Sequence, residues 1–216
     1  MFIEAYKNLL RAFILNESPR LEEGSVEKRS LTEGNWLNPP LEAKLNDEGL
    51  LVTAKENSDF WQKTSYGFVH HSGHALLNDF ENESAVEATW LLDYRHQFDH
   101  AGLMVYSDEE NWIKAGVEFA DGAPQLGAVV TREISDWSVA PVPLWMDKKI
   151  EIRFSRSGDA LTIRARCQGP WQLVRLAPLD IDREWKVGIF CASPLRSGLS
   201  VLFTELKTGP ADSELH

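Results

Sequence analysis

Cysteine and basic charge are scarce in this sequence, and long apolar runs are absent. Only two cysteines, Cys167 and Cys191, occur in 216 residues. They do not form a CxxC metal or redox motif, so free thiols in a reducing compartment are the simpler interpretation, although a disulfide between them stays open. No segment approaches the ~20 apolar residues that are needed to cross a bilayer. The sequence therefore argues against a disulfide scaffold and against a helical membrane protein.

Basic residues are outnumbered, with 22 Lys and Arg against 33 Asp and Glu and a net charge of -11. A nucleic-acid partner needs a concentrated basic face, and here the basic residues are scattered. A neutral or cationic ligand fits this charge balance better. The content of 43% hydrophobic and 25% charged residues is ordinary for one globular domain.

The first 34 residues differ in pattern from the rest of the chain. Apolar residues recur there at helical spacing, namely Tyr6, Leu9, Leu10, Phe13 and Ile14. Charged residues interrupt the segment, so it lacks the apolar core of a signal peptide, and we expect a cytoplasmic protein with no membrane attachment. We predict an amphipathic helix and linker over residues 1–34, which caps the core or mediates a dimer contact.

From residue 35 onward, short alternating runs are separated by turn-forming residues, which is typical of β-strands. The clearest runs are 67–77, 85–95, 101–106, 112–119, 126–131, 150–154, 161–166, 171–176, 186–191 and 199–207. Ten or more strands without intervening helices predict two antiparallel sheets packed face to face. We therefore predict an all-β sandwich over residues 35–208 and a tail over 209–216.

The run 112–119 shows how such a strand divides its side chains. Successive residues point to opposite faces of a strand. Ile113, Ala115, Val117 and Phe119 therefore form an apolar face, and Trp112, Lys114, Gly116 and Glu118 form the other. Gly116 leaves a gap between two long side chains, where a ligand or an aromatic ring can approach the backbone.

Several motifs together resemble one family. They are SDFWQKTSYGF at 58–68, FDHAGLMV at 98–105, NWIKAGVEF at 111–119, AVVTREISDWS at 128–138 and VGIFCASP at 187–194. The chain resembles the fungal "regulation of enolase" proteins and related bacterial domains of unknown function, within the concanavalin A-like lectin/glucanase superfamily. This resemblance covers residues 36–207 and implies a jelly-roll sandwich whose concave sheet is where related lectins and glycosidases hold sugars. The chain departs from the family pattern at His100, where members usually carry Gln, and at His71, where they usually carry an acid.

A ligand-binding face is the first functional hypothesis. In it, indole rings stack on a saccharide or similar polyol, while Lys114 and carboxylates bind its hydroxyl groups. The residues expected at this face are Asp99, His100, Trp112, Lys114, Glu118 and Thr131, with Trp61 and Trp137 as further aromatic candidates. The alternative is a structural role for these residues, namely a buried polar network in which Lys114 pairs with Glu118, and a turn that Asp136 caps.

A glycosidase is the second hypothesis. It needs two carboxylates, about 5 to 5.5 Å apart for retention or about 6.5 to 9.5 Å for inversion. Glu118 is the candidate catalytic residue, with Asp99 or Asp136 as its partner, but the E-x-D-x-E run of glucanases on this fold is absent. We therefore favour a non-catalytic binding or regulatory protein. A third hypothesis is a scaffold that regulates a metabolic enzyme through its acidic surface and amino-terminal helix.

Metal and cofactor chemistry have little support in the sequence. His70, His71 and His74 are close in sequence, but neighbouring strand residues face opposite ways and a Ser-Gly turn precedes His74. We expect solvent-facing histidines and no bound metal or cofactor.

Overall fold

Two antiparallel sheets form a sandwich in the computed structural model, which describes residues 26–215. The predicted amino-terminal helix lies outside these residues, and only residues 26–34 of the predicted linker are described. Within them, the predicted all-β jelly-roll architecture is confirmed. No helix in this described part has the length and apolar character that crossing a bilayer requires.

The first sheet has eight strands. They are β1 (Glu27–Lys28), β3 (Glu42–Asn46), β4 (Gly49–Thr53), β8 (Ser84–Leu92), β13 (Lys148–Ser157), β14 (Ala160–Arg166), β15 (Gln172–Pro178) and β17 (Ser200–Pro210). Seven of them lie in the order β15-β14-β13-β8-β17-β4-β3, and β1 pairs with β17. Gly158, with φ of 57°, makes the tight turn between β13 and β14.

The second sheet has seven strands and carries the candidate site. They are β2 (Asn35–Leu37), β7 (His74–Asp79), β9 (His100–Asp108), β10 (Asn111–Ala120), β11 (Ala123–Arg132), β12 (Ile134–Pro141) and β16 (Lys186–Ala192). Their order is β12-β11-β10-β9-β16-β7-β2. The short strands β5 (Phe60–Gln62) and β6 (Val69–His71) pair only with each other and form a separate hairpin. A 3-10 turn spans Pro143–Trp145.

The main core lies between the two sheets. It buries Ile113, Ala115 and Val117 of β10 against large side chains of the first sheet such as Trp90 and Phe154. Burial of each such aliphatic or aromatic side chain contributes about 1.5–3 kcal/mol of hydrophobic free energy. The predicted alternation of β10 is therefore correct, and the opposite face of the second sheet, here called the outer face, points away from this core.

A second, smaller core lies on the outer face. The β5–β6 hairpin covers part of that face and packs Phe60 and Trp61 onto Met104, Trp112 and Phe190. Both sides of β10 are therefore buried at Trp112, which is fully inaccessible to solvent. The hairpin leaves the other end of the outer face uncovered, and the candidate site lies there.

One alternative and one strand prediction are wrong. The alternative of a turn capped by Asp136 is not observed, because residues 134–138 belong to β12, an edge strand that pairs with β11 along Gln125 to Arg132. Polar residues are tolerated there because an edge strand is open to solvent on one side. The run 67–77 was predicted as one strand but forms two, because the strand is interrupted at Ser72-Gly73 and its first half belongs to the β5–β6 hairpin.

Candidate functional site

A pocket lies on the outer face where the hairpin ends. Its base is β10 and its neighbours. It is shallow, since its cavity volume is about 30 Å³ and reaches about 290 Å³ only when the adjoining open solvent is included. Side chains from five strands line it, principally His100, Lys114, Glu118, Gln125, Trp137, Val139 and Phe190. Three of the eight predicted binding residues, His100, Lys114 and Glu118, are thus brought together with a fourth, Trp137.

Glycines make the floor of the pocket. Gly116 lies between Lys114 and Glu118, as predicted, and pairs with Gly102 on one side and Gly127 on the other. A β-carbon at Gly116 would overlap the carbonyl oxygen of Ala101 in the neighbouring strand. Glycine is therefore required by the close approach of the strands, and its missing side chain opens the sheet surface to a ligand.

Lys114 is buried in the pocket wall and forms an ion pair that the sequence did not predict. Its Nζ lies 3.1 Å from Oδ1 of Asp59, a residue directly before β5. Burial alone would raise the pKa of Asp59, but the Lys114 ammonium and its hydrogen bond hold that pKa below its ordinary value. The charge of Lys114 is thus balanced by Asp59, whereas pairing with Glu118 was the expected alternative.

His100 is held in one tautomer. Its Nε2 lies 3.0 Å from Lys114 Nζ, which can only donate, and its Nδ1 lies 2.7 Å from the carbonyl oxygen of Phe98. The proton therefore sits on Nδ1 and is donated to Phe98. Burial, aided by the nearby Lys114 cation, lowers the pKa of His100 to about 4, so the ring is neutral near pH 7.

Glu118 is the charged group of the pocket without a partner. Its carboxylate makes no hydrogen bond to the described residues, and its nearest basic atom is Nδ1 of the neutral His100, at 3.9 Å. Its side chain is 20% exposed, so the pocket reaches it. Burial raises the pKa of Glu118 to about 7; Lys114 opposes this shift, and Asp59 and Asp121 add to it.

The other predicted site residues lie elsewhere. Asp99 points away from His100, its neighbour in sequence, and binds Ser193 Oγ at 2.7 Å and Arg196 Nε at 2.9 Å. Asp136 is largely exposed and pairs with Arg175 at 2.8 Å. Neither can serve as the second carboxylate beside Glu118. Asp99 instead holds the segment after β16 against the start of β9, which is a structural role.

The aromatic candidates divide into buried and exposed rings. Trp112 is fully buried, so it cannot stack on a ligand, and Thr131 is buried with its Oγ1 2.8 Å from Ser135 Oγ. Trp61 is 9% exposed and donates its Nε1 to the Thr64 carbonyl at 3.0 Å. Trp137 is 41% exposed on the pocket rim and is the stacking surface that the site offers.

The three histidines at 70–74 do not converge. His74 is buried, contrary to expectation, because its ring lies between the Asn38 carbonyl, at 2.7 Å, and the Lys55 backbone N–H, at 2.9 Å. His71 packs edge-on against Phe60. Residues 26–215 hold no group of three His, Cys, Asp or Glu side chains arranged for a metal ion. Cys167 and Cys191 are free thiols.

Replacing the unpartnered carboxylate should change how stability depends on pH. A carboxyl whose folded-state pKa lies above its unfolded value stabilises the protein at low pH, and that contribution is lost as pH rises from about 4.5 to about 7. Glu118→Gln should therefore match the wild type near pH 4 and be more stable at pH 8.5, by on the order of 2 kcal/mol. Urea unfolding at both pH values measures this, with the exposed Glu110→Gln as control. A Glu118→Gln difference that does not vary with pH would contradict the burial argument.

Comparison with known proteins agrees with this architecture. A family model described as "Protein of unknown function (DUF1349)" matches residues 36–211. "Regulation of enolase protein 1" of Saccharomyces cerevisiae is 34% identical over 195 residues, which is 86% of this chain and 94% of that protein. The crystal structure of a functionally unknown protein from the same yeast has a TM-score of 0.77 at 32% identity, and the match covers 84% of this chain and 98% of that one.

A more distant likeness concerns the fold alone. Xylan beta-1,4-xylosidase from Bacillus halodurans has a TM-score of 0.64 at 15% identity, over 89% of this chain and 40% of the xylosidase. The family resemblance that the sequence motifs indicated is thus confirmed. The chain belongs to DUF1349, a family of proteins of unknown function.

Proposed function

We propose that this protein is a non-catalytic binding protein whose outer-face pocket holds a small polar ligand of the carbohydrate class. The observation that carries this proposal is the reachable, unpartnered Glu118 carboxylate in a pocket rimmed by the exposed Trp137. A buried charge without a partner costs stability, and proteins keep such a cost mainly where a ligand supplies the missing contacts. An exposed indole beside hydrogen-bonding groups suits the apolar face of a sugar ring.

Hydrolysis has weaker support than binding. Among the described residues, Glu118 is the sole carboxylate that lines the pocket. Asp59 is close to the other edge of the His100 ring, at 3.6 Å from Nε2, but it is engaged by Lys114. A two-carboxylate mechanism needs both groups to face the scissile bond, so these contacts favour binding without turnover.

Saccharide binding should depend on Trp137 and Glu118. Against a panel of mono- and oligosaccharides, we expect a saturable change in tryptophan fluorescence and a rise in melting temperature. Trp137→Ala should weaken this binding roughly three- to tenfold, because an aromatic contact contributes about 0.5–1.5 kcal/mol. Trp171→Ala is the control, since Trp171 stacks on Arg166 of the other sheet. A flat response from the folded wild type across the panel would overturn the proposal.

We propose a second function in binding a protein partner, supported by an exposed aromatic patch next to the pocket. The patch comprises Tyr66, Phe68 and Val69 of the hairpin together with Trp137, and the largely buried Trp61 lies between Tyr66 and Trp137. Tyr66 stacks on Phe68 with ring centroids 5.2 Å apart, and Trp61 contacts both Tyr66 and Trp137 at their edges. Exposed apolar patches of this kind are typical of interaction surfaces.

The hairpin loop fixes this patch in place. Lys63 and Ser65 both have positive φ, 57° and 65°, a conformation that costs non-glycine residues energy. The loop is held by the hydrogen bond from Gly67 N to the Lys63 carbonyl, at 2.7 Å, and by that from Trp61 Nε1 to Thr64. A rigid loop loses little entropy on binding, which favours recognition of a partner.

Enolase is the partner that the yeast relative's name suggests. We expect purified enolase to bind the immobilised wild-type protein, and the double variant Tyr66→Ser/Phe68→Ser to bind at least tenfold more weakly. Leu144→Ser serves as control, because Leu144 is 81% exposed and lies outside the patch. Wild-type affinity in the double variant, or no binding by the wild type, would remove this second candidate.

A further inference from the structure

Glu118 is exceptional among the largely buried charged groups of the described residues. The other strongly buried ones have partners: Asp99 with Arg196, Lys114 with Asp59, Arg153 with Glu87 and Asp212, Arg164 with Asp212, and Arg156 with the Phe80 carbonyl. Among these groups, Glu118 lines the pocket and has no such partner. A bound ligand would therefore have to supply the contacts that the Glu118 carboxylate lacks.

The charges around Glu118 leave the pocket negative. Lys114, on the same strand, is neutralised by Asp59 from the segment that covers the sheet. His100, on the neighbouring strand β9, is neutral and donates its proton to Phe98. Asp121, in the turn after β10, adds negative charge. The net charge of these groups, with Glu118 ionised, favours a cation over a neutral or anionic ligand.

The walls of the pocket also suit a cation. Trp137 presents an exposed aromatic surface at the pocket, and an aromatic face attracts an ammonium group. The glycine floor exposes the sheet backbone, and Gln125 adds a polar side chain to the lining. Charge-assisted hydrogen bonds between an ammonium and a carboxylate are about twice as strong as neutral ones.

We infer that the pocket selects a sugar or polyol that carries a protonated amine, with the ammonium bound to Glu118 and the ring resting on Trp137. This inference rests on the proposed function, since it narrows the class of ligand for the same pocket. In it, Glu118 determines specificity, and Trp137 contributes to the binding of charged and neutral sugars alike.

Three matched sugars test the inference. D-glucosamine, N-acetyl-D-glucosamine and D-glucose share one ring, but only the first carries a basic amine. By isothermal titration calorimetry at pH 7, we expect the wild type to bind glucosamine at least tenfold more tightly than the other two. Glu118→Gln should remove this preference, so that all three sugars bind with similar affinity.

Proton release gives a second readout at the same site. An ammonium favours the ionised form of Glu118, so binding at pH 7 should release protons from the roughly half of the molecules in which this carboxyl is protonated. Titrations in two buffers of different ionisation enthalpy should therefore show more proton release for the wild type than for Glu118→Gln.

The outcomes separate the two proposals. Equal binding of the three sugars by the wild type, or an amine preference that survives in Glu118→Gln, overturns the amine inference and leaves carbohydrate binding standing. No binding of these sugars or of any other saccharide overturns both. A melting temperature for Glu118→Gln no lower than that of the wild type establishes that lost preference does not come from unfolding.

Discussion

The ion pair between Lys114 and Asp59 is the contact on which the site depends. It ties the middle of β10 to the segment that leads into the β5–β6 hairpin, with 3.1 Å between Nζ and Oδ1. Because Lys114 pairs with Asp59, it forms no ion pair with Glu118 and only partly offsets the effect of burial on that carboxyl. The same ammonium donates to His100 and fixes its tautomer. This buried pair therefore anchors the β5–β6 hairpin, orients the His100 imidazole and leaves the Glu118 carboxylate unpaired.

The β5–β6 hairpin and the pocket occupy different parts of the outer face. At the hairpin end, Phe60 and Trp61 bury the outer face as a second core. Beyond the hairpin, glycines replace large side chains, and the face remains open between Trp137 and Glu118. Burial of Phe60 and Trp61 at the hairpin end stabilises the protein and offsets the free-energy cost of the unpaired Glu118 carboxylate at the other end. In fold, the chain resembles a xylosidase structure, and Glu118 is the carboxylate that lines the pocket among the described residues.

The fold and half of the site could be predicted from local pattern. Alternation along β10 correctly separated Ile113 and Val117 from Lys114 and Glu118, because neighbouring strand residues face opposite ways. The same rule, applied to Asp99 and His100, would have shown that only one of them can face the pocket. Trp112 is on the correct face but is buried, since the covering hairpin comes from a segment about fifty residues earlier in the chain. Asp59 was present in the motif at 58–68, but no local signal indicates that it reaches Lys114.

The ionisation of Glu118 itself tests the central claim most directly. A carbon-13 NMR titration of its carboxyl group, assigned by comparison with Glu118→Gln, should give a midpoint near pH 7. That result would mean that the Glu118 carboxylate is desolvated and unpaired in the free protein, as the proposed ligand-binding role requires. A midpoint at or below the ordinary value of 4.5 would mean that Glu118 is solvated or paired, and the account of the pocket would be wrong.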